Sequence, residues 1–217
     1  MDDDLSPRLR AVCDLNVAET REFSGRHEYD GAIQDLSPDG VRAGLTALAE
    51  AAGTGDPLED VHDEAHLAAF EDYARVVFGE LELHRRNPLI HLAGLDLSCY
   101  DRDYGPQAER DQARLSQLAR WPQAVDVAVA ALDLMSAPVA AALLQGIRGL
   151  AAGIPPGTPD AIAEAARAAH ERLVAAAKMA SGDAGARLDL LQQPAHRMRG
   201  FVGVLRGDAI VDVVPGR

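Results

Sequence analysis

Proline follows a small polar residue at the head of several alanine-rich runs, and this punctuation confines the chain to a series of separately started helices. Ser37-Pro38 and Ser136-Ala137-Pro138 are the clearest cases. A serine hydroxyl caps free backbone N–H groups, and proline has no N–H to lose in the first helical turn. Alanine, the strongest helix former, fills roughly a fifth of the chain. Aromatic residues are only 4% and β-branched residues rarely cluster, which disfavours sheet. The expectation is an all-α, multi-helix domain with up to one or two short strands near the C-terminus.

Apolar spacing predicts helices over residues 7–23, 38–52 and 58–85, a short one over 89–97, and further helices over 106–120, 122–135, 136–152 and 159–180. In the second of these Val41, Leu45, Leu48 and Ala52 recur at helical intervals, and Gly53 stands where a terminal glycine belongs. The third would turn Val61, Ala65, Ala69, Tyr73 and Val76 or Val77 inward, followed by Leu81. Asn87-Pro88 ends it, because the residue before proline is pushed out of the helical region. Thr158 caps the last helix, and the run at 209–214 is the one convincing strand signal. The division expected is a helical domain over 1–180 and a divergent tail over 181–217.

The 217 residues carry a net charge of −13. Binding to nucleic acid or to anionic lipid calls for a basic face, so neither partner is expected. The most apolar window, 125–150, is interrupted by Asp126, Asp133, Pro138 and Arg148 and does not suit a bilayer span. Cys13 and Cys99 cannot build a disulfide framework, and the first residues lack the basic start of a signal peptide. A cytoplasmic location is the expectation.

His62 and His66 are four apart on a predicted helix and form a weak metal pair. A zincin helix reads H-E-x-x-H, with a glutamate base directly after the first histidine. Asp63 occupies that position here, one methylene shorter, and a solvated acidic helix start explains the same residues. His27-Glu28 and His170-Glu171 do not close with a second histidine, since Gly31 and Val174 stand there. His84 and His91 flank the Asn87-Pro88 break. No nucleophile elbow, phosphate loop or dinucleotide fingerprint is present. Cys99 reads as a small buried hydrophobe as readily as a reactive thiol.

Five islands occur in order: Gly25-Arg26-His27-Glu28-Tyr29-Asp30, Asp35-Leu36-Ser37-Pro38, Glu80-Leu81-Glu82-Leu83-His84-Arg85-Arg86-Asn87-Pro88-Leu89, Tyr104-Gly105-Pro106 and Trp121-Pro122. Together they resemble the amino-terminal half of the bacterial domain-of-unknown-function family 885, over residues 18–180. That resemblance implies a mostly helical fold of the zincin-like metallopeptidase class. The family's H-E-x-x-P-G-H signature lies in its carboxy-terminal half, and full members are well over twice as long. No position here matches that signature, so no catalytic residue carries over. The resemblance instead implies a non-catalytic helical subunit or remnant that binds a peptide or a complementary chain.

On this view His27, Tyr29, Asp30, Arg86 and Asn87 are the candidate lining of a substrate or partner cleft. Arg86 suits a peptide carboxylate, because a guanidinium grips one bidentately. Tyr29 and Asp30 pinning a loop, and Asn87 ending a helix, are the competing structural roles. The expected partners are a complementary chain or a second copy, and a peptide ligand. No cofactor is expected unless a complementary half or the His62/His66 pair brings zinc. Two other readings stay open: an autonomous hydrolase with a metal at His62 and His66, and a standalone helical module for a ligand or protein.

Overall fold

The computed structural model describes residues 5–182. Among them are ten α-helices and no strand. The chain is therefore all-α over this region, and the strand-like run at 209–214 lies outside the described residues, as does nearly all of the expected tail.

The predicted first helix is two helices, α1 (Pro7–Asp14) and α2 (Val17–Phe23). Asn16 breaks it: its side-chain amide donates to the Val12 carbonyl at 2.8 Å and takes a backbone acceptor that helix continuation would use. α3 (Pro38–Thr54) starts as expected, with Ser37 Oγ accepting from the Gly40 N–H at 3.0 Å. It runs through Gly53 and stops at Gly55.

The long helix expected at 58–85 is corrected most. Asp60 delays its start by accepting from the N–H groups of His62 and Asp63, so α4 spans Val61–Ala74. A π-helical turn over Arg75–Glu80 follows, then Glu82 in a left-handed conformation (φ 46°), then one turn, α5 (Leu83–Arg86). α6 (Pro88–Leu95), α7 (Gln107–Ala119), α8 (Trp121–Ala131), α9 (Ala137–Gly149) and α10 (Asp160–Ser181) complete the set. Thr158 does not cap α10; its hydroxyl donates to the Pro155 carbonyl instead.

The inward stripe of α4 is also corrected. Val61, Ala65, Ala69, Tyr73 and Val76 are all exposed, and Leu81 is half exposed. The buried side carries Leu67, Glu71, Ala74, Val77 and Phe78. What turns that side inward is Arg8 on α1. Its guanidinium holds Glu71 bidentately at 2.8 and 3.1 Å and reaches Glu64 at 2.8 Å. Glu71 is buried, so its charge is stabilised chiefly by meeting this cation in the chain's interior, with Arg75 at 3.9 Å adding to it.

The apolar side chains form two clusters. The first joins α1, α3, α4 and the π turn through Val12, Leu15, Val41, Leu48, Leu67 and Phe78. The second joins α6 through α10 around Trp121, with Leu118, Val125, Ile147 and Leu173. Alanines at 163, 166, 169 and 177 keep α10 close to the helices it packs against. Between the clusters runs the segment 31–37, with Ile33 packed on the second and Leu36 buried in the first.

Buried hydrogen bonds hold that segment. The Tyr100 hydroxyl accepts from the Gly31 N–H at 2.8 Å and donates to Gln117 Oε1 at 2.6 Å. Gln117 Nε2 donates to the carbonyls of Gly94 and Asp96, and Arg120 donates to the Gly31 carbonyl at 2.6 Å. Burial pushes the Tyr100 pKa up to about 12, so the donor proton stays in place. Gly31 has φ 72°, and a Cβ there would lie 3.0 Å from Ser116 Cβ. Only glycine suits that position.

Tyr100→Phe leaves Gln117 and the Gly31 N–H without a buried partner. It is expected to lower unfolding free energy by about 1–3 kcal/mol, read from urea denaturation, whereas half-exposed Tyr73→Phe is expected to change it little. Equal effects would show that the buried chain of bonds carries no weight.

Candidate functional site

The residues singled out by the resemblance do not assemble into one site. Tyr29 is buried, and its hydroxyl donates to Asp14 Oδ1 at 2.6 Å while accepting from Arg10 at 3.4 Å. Burial and the Asp14 contact push its pKa well above the ordinary tyrosine range. Asp30 accepts from the Tyr104 hydroxyl at 2.9 Å, and the His27 ring stacks on Tyr104 with centroids 4.7 Å apart. His27 Nδ1 lies 3.5 Å from Asp30 Oδ2. Tyr29 and Asp30 thus pin the loop between α2 and α3, and His27 covers Tyr104 from the solvent side.

Arg86 and Asn87 lie elsewhere. Neither shares a hydrogen bond or ion pair with His27, Tyr29 or Asp30. Asn87 Oδ1 accepts from the Leu89 N–H at 3.1 Å and caps α6. Arg86 is exposed, with Glu82 at 4.0 Å. His62 and His66 are exposed on α4. Glu64, between them, points inward, where the Leu58 N–H and Arg8 hold its carboxyl below the usual carboxylate range. Among the described residues no group of three or more His, Cys, Asp or Glu is arranged to hold a metal ion, so the histidine pair has no third ligand there.

What the packing does assemble is a surface that sequence spacing misplaced. The outer side of α4 presents Val61, Ala65, Ala69, Phe70 and Tyr73 to solvent, interleaved with the exposed His62, His66 and Asp72, and Val76 continues the row. Phe70 is 59% exposed and Tyr73 50%. A helix apolar on both sides is normally covered on both, and contiguous exposed apolar area marks binding surfaces.

Tyr73 also forms one wall of a small open cleft at the seam of the two clusters, with about 40 Å³ of free volume. Leu36, Val77, Phe78 and Ile90 supply apolar walls, and Asn16, Glu19, Gln34 and His91 supply polar groups. The cleft draws on α2, the 31–37 segment, α4, the π turn, α6 and α8. Glu19 lines the same cleft, and its carboxylate adds to burial in raising the Tyr73 pKa. His91 Nε2 lies 2.7 Å from the His84 carbonyl. That nitrogen is therefore the N–H donor, and Nδ1 is the acceptor of the neutral ring. Gln34 Nε2 is buried without a hydrogen-bond partner. Its free space is that of a few waters, so only the tip of a side chain fits at its mouth.

No family model, curated protein or solved structure matches this chain. The geometry therefore carries the functional argument.

His84 and His91 are both buried, and burial depresses both pKa values below the ordinary 6.5. As pH falls through that value, the unfolded chain binds protons before the folded one does. Stability therefore drops, and it levels off below the folded pKa values. The urea midpoint is expected to fall between about pH 7 and about pH 5.5, and to fall less in the double variant His84→Gln, His91→Gln. The loss at Glu64 comes later, below its ordinary 4.5. A midpoint that is flat over the first window contradicts the assignment.

Proposed function

We propose that this chain is a non-catalytic helical binding subunit, taking up a peptide segment or a complementary chain on the outer face of α4 and in the adjoining cleft. The supporting observation is the outward apolar row from Val61 to Val76, on a helix whose other side is already committed to Arg8 and the first cluster. Exposed aromatic anchors beside a pocket are the usual hot spots of a peptide groove.

The resemblance to the metal-free half of a family 885 architecture fits the same role. In such a two-half enzyme the half lacking the metal forms a cleft wall, and the surface its complement covered stays apolar. The residues carrying the role differ from those that the resemblance singled out. Tyr29, Asp30 and Asn87 act within the fold, and Arg86 and His27 lie outside the cleft lining.

Selection of a random dodecapeptide library on the full-length chain tests the proposal. Peptides are expected to be captured, and Phe70→Asp and Tyr73→Asp are each expected to weaken them more than about tenfold, in line with the loss of an aromatic anchor. Helix content and unfolding midpoint should be retained, because both side chains are already exposed. Absence of captured peptides, or peptides indifferent to both variants, overturns the proposal.

A further inference from the structure

Resting on that reading, we infer that the segment received is cationic: an amphipathic stretch with apolar side chains along α4 and a lysine or arginine directed into the cleft mouth beside Glu19. The charges around the face point to this. No lysine or arginine occurs within α4 (Val61–Ala74), whose charged side chains are Asp63, Glu64, Glu71 and Asp72. Glu64 and Glu71 are turned inward onto Arg8, and Asp72 is paired with Arg75 at 2.5 Å. Asp63 on the helix and Glu19 at the cleft have no ion-pair or hydrogen-bond acceptor role among the described residues. Both carboxylates border the apolar row.

The cleft sorts ligands in the same sense. Its described lining contains one carboxylate, Glu19, and no cation. A partner that covered Glu19 with apolar or acidic groups would strip water from that carboxylate without replacing it, which is costly. A lysine or arginine replaces the lost water directly. Its methylene stem lies on the exposed edge of Tyr73 while its head reaches Glu19, and the aromatic ring adds attraction for the cation. A net charge of −13 draws such a partner in from a distance. The same charge argues against a second copy, because face-to-face pairing would bring two sets of acidic borders together.

The test uses peptides captured by the full-length chain from the dodecapeptide library, resynthesised and titrated by fluorescence anisotropy at low and high salt. Captured sequences are expected to combine lysine or arginine with spaced apolar residues. Glu19→Gln is expected to weaken them about tenfold, and replacing the peptide cation with norleucine should do the same. The two changes together should cost no more than either alone, and affinity should fall with salt. Captured peptides without cation enrichment, or indifferent to Glu19→Gln, overturn this inference and leave the peptide-binding reading in place. Failure to capture any peptide overturns the reading itself. Self-association abolished by Tyr73→Asp assigns the face to a second copy and also overturns the inference.

Discussion

The hydroxyl of Tyr100 joins parts of the chain that lie far apart in sequence. It ties the Gly31 backbone to Gln117, and Gln117 ties α7 to the end of α6. The Tyr100, Gly31, Gln117 and Gly94 groups are removed from water, so each bond among them is worth most when every partner is present. The segment that begins at Gly31 then runs between the two apolar clusters. That segment supplies Ile33, Gln34 and Leu36 to the cleft, so the bonds at Gly31 and that of Arg21 to the Ala32 carbonyl position one of its walls.

A second interior contact decides which side of α4 is free. The helix is apolar on both sides, and burial alone does not choose between them. Arg8 does, because Glu64 and Glu71 must follow the guanidinium inward. A buried ion pair contributes little net stability against a well-packed apolar substitute, but it discriminates strongly between orientations. Phe70 and Tyr73 face solvent as the consequence. The binding surface is thus set by a charge interaction on the opposite side of its own helix.

Much of the fold was legible in the sequence, for local reasons. Serine and proline at helix starts act within four residues, and α3, α6 and α8 begin within a residue of where they were expected. What failed was non-local. The α4 stripe was assigned inward because its true inner side carries two glutamates, and the arginine that compensates them lies 63 residues from Glu71. The break at Asn16 depended on one side-chain bond. The cleft left no motif, being assembled from six parts of the chain. The histidine pair at 62 and 66 was visible for the opposite reason: local spacing is easy to see, whereas whether a third ligand stands beside it is a property of the fold, and none does among the described residues.

Hydroxyl-radical footprinting of the full-length chain, resolved by residue, tests most directly whether the outer side of α4 is an open surface. The account expects rapid oxidation at Phe70 and Tyr73, which are more than half or half exposed, and slow oxidation at Phe78 and Tyr100, which are buried. Phe70 and Tyr73 protected to the level of Phe78 would mean that the face is already covered within the isolated protein, and the account of it as a receiving surface would be wrong.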